Sequence, residues 1–152
     1  MRLTTFTDYS VRVLIYLAHA PEGRATTGEA ARAFGISEHH LVKVAHALGR
    51  FDVLHNARGR AGGLRLAGPP SGINVGSVVR ATESFDVAEC FDPEHNTCAL
   101  AGRCRLEGIL HEAVDAFLAV LDRYTLADLL PPTRPAHSLL PWPKNPPAPR
   151  PA

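Results

Sequence analysis

The stretch that decides the fold is TTGEAARAFGISEHHLVKVAHALGR, residues 26–50. Thr26 and Glu29 form the pattern of a capping box, which opens a helix predicted to run to Phe34. Gly35 can end that helix in the left-handed conformation, and Ser37 can then cap the next one. Two short helices joined by a tight turn at glycine are the signature of a helix-turn-helix, a motif that reads DNA.

The second of these helices, predicted over residues 38–50, has one apolar and one polar face. At helical spacing, one side carries Leu41, Val44, Ala45 and Leu48, and the other carries His39, Lys43, His46 and Arg50. A recognition helix must offer donors to base edges and phosphates while its other side packs. A solvated helix face would look the same in isolation, but the preceding helix and the segment that follows favour DNA reading.

A β-hairpin is predicted after Phe51, from two strand-like runs on either side of a glycine-rich turn. The turn carries Arg58 and Arg60, so it is typical of the wing of a winged helix, which brings cations to the DNA backbone or minor groove. A phosphate-cradling nucleotide loop is excluded because no Gly-Lys-Ser/Thr sequence and no helix follow. The candidate DNA-binding residues are Thr26, Ser37, His39, His40, Lys43, His46, Arg50, Arg58 and Arg60.

The net charge of +1 conceals an uneven distribution. Residues 1–67 carry nine Lys and Arg against five Asp and Glu, a net of +4, and residues 68–130 carry four against ten, a net of −6. Residues 131–152 add three positive charges, which completes the sum of +1, and nine of these 22 residues are proline. We expect this tail to be extended and disordered, and we expect the basic and acidic parts to have different partners.

Two further helical segments flank the DNA-reading unit. An amphipathic helix is predicted near the N-terminus, with Thr7 and Asp8 capping its start. A short helix is predicted over residues 74–83, with its valines facing inward. No stretch has the roughly 20 apolar residues that a membrane span needs, and the start of the chain lacks a secretory signal, so we expect a cytoplasmic protein.

Three cysteines, Cys90, Cys98 and Cys104, lie within a segment that lacks clear periodicity. An odd number in a cytoplasmic chain argues for metal, cluster or redox chemistry rather than disulfides. Three thiols in one loop can converge on an iron–sulfur cluster or on zinc, and the spacing alone does not separate these from free thiols. Candidates for a fourth ligand nearby are Asp92, Glu94, His95 and His111. A thiol–His95 catalytic pair has no oxyanion or substrate residues beside it, so an enzyme is the least favoured class.

A long amphipathic helix is predicted after the third cysteine. Its broad apolar stripe comprises Leu106, Ile109, Leu110, Ala113, Phe117, Leu118 and Leu121. Packing within one chain is the alternative, but we favour homodimerisation, which suits a reader of two-fold-symmetric DNA. Thr125 and Asp128 then cap a short segment that runs to Leu130. The predicted organisation is a winged helix-turn-helix domain (1–83), a cysteine loop (84–104), a dimerisation helix with a short final helix (105–130) and the tail (131–152).

Five segments of the chain resemble the nitric-oxide-sensing NsrR repressors, a group within the wider winged-helix family that includes IscR. The segments are MRLTTFTDY (1–9), SEHHLVK (37–43), RGRAGGLRL (58–66), VGSVVR (75–80) and YTLAD (124–128), together with the three cysteines. The resemblance covers about residues 1–130. It implies a mainly α-helical winged-helix repressor that binds a palindromic DNA operator as a homodimer.

The resemblance also implies an iron–sulfur cluster on Cys90, Cys98 and Cys104. A [4Fe-4S] form, favoured over [2Fe-2S], would take Asp8 of the partner subunit as its fourth ligand. IscR-type proteins use a histidine shortly after the third cysteine, where this chain has Glu107. Nitric oxide would nitrosylate the cluster, release the DNA and derepress nitrosative-stress genes. A redox- or iron-responsive regulator of the same fold and a zinc-stabilised DNA-binding protein are the alternatives.

Overall fold

A computed structural model describes residues 2–20, 23–57 and 62–130. Five helices and one hairpin follow in the order α1 (Thr5–Ala18), α2 (Thr27–Phe34), α3 (Glu38–Arg50), β1 (Leu54–Ala57), β2 (Gly63–Leu66), α4 (Val75–Thr82) and α5 (Arg105–Leu121). Three single-turn 3₁₀ helices cover Pro70–Gly72, Glu89–Phe91 and Leu126–Leu129. The mainly helical fold with a small antiparallel hairpin is therefore confirmed. The predicted tail over residues 131–152 lies outside the described residues.

Helix α1 begins earlier than predicted, because Thr4 and not Thr7 or Asp8 provides its cap. The Thr7 N–H donates to Thr4 Oγ1 at 3.3 Å, and the carboxylate of Glu83 accepts the Thr4 N–H at 2.7 Å. Thr7 is fully buried, and its hydroxyl donates to the Thr82 carbonyl. Asp8 therefore lies in the first turn of the helix and has no capping role.

The helix-turn-helix is formed by α2 and α3, close to the predicted bounds. The capping box is present: the Glu29 N–H donates to Thr26 Oγ1 at 3.1 Å, and Glu29 Oε2 accepts the Thr26 N–H at 2.7 Å. Gly35 takes the left-handed conformation at φ 64°. Ser37 occupies the N-cap position of α3, but its hydroxyl makes no capping hydrogen bond, which corrects the role predicted for it.

The main core lies between α1, α3 and the hairpin. Leu41, Val44, Ala45 and Leu48 of α3 are all buried, as the apolar pattern predicts. In the hairpin, β1 and β2 pair in antiparallel register with Leu54 opposite Leu66, and Leu54 and Leu64 enter the same core. The backbones of Ala25 and Leu64 pair as an isolated bridge, which ties the hairpin to the segment before α2.

A second, smaller core joins α4 to the C-terminal part of α5. Val75, Val79 and Leu118 are buried there against Phe85, Val114, Phe117 and Leu121. After α5 the chain returns to the main core, where Leu126 is 2% exposed, and Thr125 pairs with Asn74. The final segment is the predicted capping box of Thr125 and Asp128, but it forms a 3₁₀ helix. No helix within the described ranges is long and apolar enough to cross a membrane.

Candidate functional site

The polar face of α3 is exposed over its whole length. His39, Lys43, His46 and Arg50 all face away from the core, because the opposite face of the helix is buried against α1 and the hairpin. These side chains offer ring nitrogens and two cations on one continuous surface. Such a surface can donate hydrogen bonds to base edges and phosphates in the major groove.

The start of α3 is held against the start of α2. Glu38 accepts a hydrogen bond from the Thr27 hydroxyl at 3.4 Å, and its carboxylate lies 3.2 Å from where a β-carbon on Gly28 would be. Thr26 is exposed, but its hydroxyl is engaged with Glu29 in the capping box. Ser37 is exposed and its hydroxyl is free of capping, so it can contact a phosphate directly.

His40 differs from the other predicted residues of α3 because its ring lies beside α1. The ring centroids of His40 and Tyr9 are 6.5 Å apart, and those of His40 and His39 are 6.4 Å apart. Thr5, Phe6, Tyr9, His40 and Lys43 line a small open cavity between the two helices. This contact joins the first turns of α1 to the DNA-reading face.

Two residues on the DNA-reading side were missed by the sequence analysis. Val42 lies on the exposed face of α3 and is 49% exposed. Arg65 on β2 is exposed and pairs with His55 of β1 across the hairpin, so it adds a cation to the wing. Periodicity could have identified both: Val42 follows His39 by three residues and so shares its face of the helix, and Arg65 alternates with buried Leu64 along the strand. Arg58 and Arg60, at the predicted tip of the wing, lie outside the described residues.

The three cysteines lie in the irregular segment between α4 and α5, and none forms a disulfide. Cys90 lies in the 3₁₀ turn and is half-buried, Cys98 is exposed, and Cys104 occupies the half-buried N-cap position of α5. Two hydrogen bonds from Thr97, through its N–H and its hydroxyl, reach Glu89 Oε1 at 2.6 Å and fold the segment back on itself.

The pKa of the Cys90 thiol is shifted by its surroundings. Burial raises the pKa of the Cys90 thiol, and the charges of Glu107, Cys104 and Cys98 raise it further. Glu107 also accepts a hydrogen bond from the Gly102 N–H at 3.2 Å. Across the described part of the chain, no three His, Cys, Asp or Glu side chains are arranged to hold a metal ion. The donor set itself, three unpaired thiols in one loop, fits an iron–sulfur cluster.

Three of the nearby candidates for a fourth ligand, Asp92, His95 and His111, have partners of their own. His95 Nδ1 lies 2.8 Å from Asp92 Oδ2, and Asp92 Oδ1 also accepts the Glu94 N–H. The His111 ring stacks on Phe91, with centroids 4.1 Å apart and planes inclined by 24°. His111 therefore buttresses the turn that carries Cys90.

Asp8 lies apart from the cysteine loop of its own chain. Its carboxylate forms a surface ion pair with Arg12 at 2.8 Å, and both side chains are 45% exposed. In the ranges that the structure covers, no hydrogen bond or ion pair joins Asp8 to residues 83–104. Asp8 instead lines an open cavity of about 560 Å³ with Arg12, Tyr9 and Phe34. A partner molecule can reach the carboxylate there.

Similar proteins give the class of the molecule. A family model described as "Rrf2: Iron-dependent Transcriptional regulator" matches residues 3–132. The "HTH-type transcriptional regulator NsrR" of Halalkalibacterium halodurans is 48% identical over 132 residues, which covers 86% of this chain and 90% of that protein. The regulator of the same name from Bacillus subtilis is 47% identical over 132 residues, with coverages of 86% and 90%.

Solved structures agree with this class. CymR, described as the global cysteine regulator of B. subtilis, superposes with a TM-score of 0.68 at 26% identity, covering 88% of this chain and 99% of that one. IscR of T. potens superposes with a TM-score of 0.67 at 27% identity, covering 85% of each chain. The predicted winged-helix fold and the predicted class, a DNA-binding transcriptional regulator and not an enzyme, are both confirmed.

Proposed function

The chain belongs to the Rrf2 family of iron-dependent transcriptional regulators, and we propose that it is a repressor that releases its operator when an iron–sulfur cluster encounters nitric oxide. The NsrR name of its relatives supports this proposal. The observation that carries it is a loop with three free thiols. The residue before the loop, Glu83, is hydrogen-bonded to Thr4 at the start of α1, the helix packed against the DNA-reading helix.

Residues 1–83 read the DNA in this proposal. Helix α3 enters the major groove with His39, Lys43 and His46 towards the base edges, and Ser37, Arg50 and the wing arginines Arg58 and Arg60 contact phosphates. Thr26 supports the start of α2, and His40 couples α3 to α1. Neutralising several phosphates makes the affinity fall steeply as salt is added.

Residues 84–104 hold the cluster. Cys90, Cys98 and Cys104 supply three thiolates, and Asp8 of the partner subunit supplies a carboxylate. When bound, a cluster with one weak carboxylate ligand supplies iron that reacts readily with nitric oxide. Asp8 is suited to this role because Thr4 performs the capping, and because its exposed pair with Arg12 contributes little stability and is easily exchanged.

Glu83 connects the cysteine loop to the DNA-reading helix. Its carboxylate accepts the Thr4 N–H and the Thr4 hydroxyl, at 2.7 and 3.1 Å, and so holds the first turn of α1. Helix α1 in turn packs along α3. A movement of the loop therefore displaces Glu83, then α1, and then the side chains that contact DNA.

Residues 105–130 bring two chains together in this proposal. Leu106 and Ile109 on α5 are 57% and 53% exposed, so packing within the chain leaves part of the apolar stripe exposed. An open cavity of about 500 Å³, lined by Leu3, Phe85 and Val114 among others, lies next to this stripe. A second copy of the chain can cover both, which would set two recognition helices about 34 Å apart on a palindromic operator.

The decisive experiment uses the full chain purified without oxygen. Iron and sulfide are counted, duplexes are selected from a random library, and affinity is measured before and after nitric oxide addition. We expect stoichiometric iron and sulfide, and a large loss of affinity on nitric oxide addition. Cys98→Ser should lose the cluster and the response, whereas Ala99→Ser, at the exposed position next to it, should keep both.

The same preparation separates the alternatives. If reduction, and not nitric oxide, changed the affinity, the protein would be a redox-responsive regulator with the fold of IscR. A colourless protein that contains zinc would make the metal structural. Iron-free protein from anaerobic preparation would overturn the proposal.

A further inference from the structure

The exposed face of α3 contains one side chain that cannot form a hydrogen bond. Val42 is 49% exposed, and it lies between His39, three residues before it, and His46, four residues after it. It belongs to neither hydrophobic core. The rest of this face consists of ring nitrogens, an ammonium and a guanidinium group.

The stability of the isolated chain gives no reason for a valine there. An exposed β-branched residue is a poorer helix former than alanine or the long polar residues, and it leaves apolar surface in water. The valine becomes favourable only if its methyl groups meet another apolar group. Val42 therefore fits a role in binding, in which its methyl groups contact an apolar group on the surface that this face meets.

The major groove of DNA offers one apolar group among its base edges, the C5 methyl of thymine. All the other groups on those edges are hydrogen-bond donors or acceptors, which suit His39, Lys43 and His46. We infer that Val42 is a specificity-determining residue that reads a thymine methyl group in each half of the operator. This inference rests on the proposed function only in that α3 enters the major groove.

The test replaces single thymines by deoxyuridine, which lacks only the methyl group. A duplex selected from a random library by the full-length wild-type protein is rebuilt with one deoxyuridine at a time. We expect one symmetry-related pair of positions at which each substitution lowers the affinity about fourfold, the value for one buried methyl group. Replacing both members of the pair should lower it about fifteenfold if the half-sites contribute independently.

Variants at position 42 assign that effect to the side chain. With Val42→Ala, the affinity for the thymine duplex should fall to that for the deoxyuridine duplex, so that the methyl group no longer matters. Val42→Thr keeps one methyl group in the same shape and should retain part of the discrimination. Arg50→Ala is the matched control on the same face, because loss of a phosphate contact weakens both duplexes equally.

The outcomes separate this inference from the proposed function. If no single replacement of a thymine by deoxyuridine lowers the affinity, the role of Val42 is overturned and the repressor proposal stays intact. The same holds if Val42→Ala discriminates as the wild type does. A folded protein that selects no duplex at all would overturn both.

Discussion

At the residue scale, Gly76 is the position where the packing of α4 on α5 leaves no room for a side chain. A β-carbon on residue 76 would collide with the carboxylate of Asp122 and lie 3.0 Å from its backbone nitrogen. That carboxylate is fixed by a bidentate ion pair with Arg80, with Nη2 to Oδ2 at 2.6 Å. Asp122 therefore cannot turn aside without losing its partner.

We predict that Gly76→Ala lowers the free energy of unfolding by about 1–3 kcal/mol, the usual cost of overpacking. Urea denaturation followed by circular dichroism measures it. The matched control is Gly108→Ala in α5, where a β-carbon would meet nothing within 4 Å. That change should raise the stability by up to about 1 kcal/mol, because alanine is the better helix former. Equal effects at the two glycines would contradict the steric explanation.

The Arg80–Asp122 pair also predicts a dependence on pH. The hydrogen bond from Arg80, helped by its charge, holds the pKa of the Asp122 carboxyl below its usual value of 3.8. Because the pKa is lowered in the folded state, the stabilisation is complete above the unfolded pKa and is lost as the pH falls through the folded one.

We expect Asp122→Asn to flatten the decline in stability below about pH 4, since the variant has no carboxyl to protonate there. Thermal unfolding between pH 2 and pH 7 measures this. Glu112→Gln, which removes an exposed carboxyl of α5, is the control. It leaves the Arg80–Asp122 pair intact, so the part of the decline in stability that comes from this pair should remain. An Asp122→Asn profile parallel to that of the wild type would show that the pair is not linked to acid stability.

At the element scale, local signals in the sequence placed α3 and α4 to within one residue. The capping box at Thr26 and the left-handed turn at Gly35 are local, so the sequence predicted both. The start of α1 was misplaced because part of its cap comes from Glu83, which is 79 residues away in the chain. Ser37 was assigned a cap on residue type alone, but its hydroxyl makes no hydrogen bond to the helix.

The tie between Glu83 and α1 predicts a variant that impairs both stability and signalling. Glu83→Gln removes the charge at the N-terminus of α1, which should lower stability by about 1 kcal/mol. In the untreated protein, DNA affinity should fall towards that of the nitric-oxide-treated protein, because a neutral amide holds the start of α1 less tightly than the carboxylate does.

Affinity measured before and after nitric oxide addition tests this prediction. Glu94→Gln is the control, because it changes an exposed glutamate of the cysteine loop that makes no hydrogen bond to α1 in the described part of the chain. A Glu83→Gln protein with an unaltered response would mean that the signal reaches α3 by another route.

At the scale of the whole molecule, the long helix α5 should determine the assembly state. We predict that Ile109→Glu, which places a charge in the exposed apolar stripe, converts a dimer into a monomer and weakens operator binding. Sedimentation velocity gives the assembly state. Asp115→Ala, at an exposed position on the face of α5 opposite the stripe, should remain dimeric. An Ile109→Glu protein that still sedimented as a dimer would locate the contact elsewhere.

The candidate site could be predicted from the sequence only in part. The polar face of α3 follows from helical periodicity, and the structure exposes it as predicted. The three cysteines were identified from their spacing. The ligand geometry could not be predicted, because in the proposed function it depends on the bound cluster and on Asp8 of the partner subunit. Val42 was missed because a valine at helical spacing is usually a core residue.

The return of the chain to the main core after α5 has a consequence for how the protein can evolve. Asn74 and Thr125 lie side by side, so residues 75–124 start and finish at the same place beside the main core. A segment whose two ends meet can change in length and chemistry with little strain on the body that carries it. This segment can therefore change in evolution while the DNA-binding body that carries it stays the same.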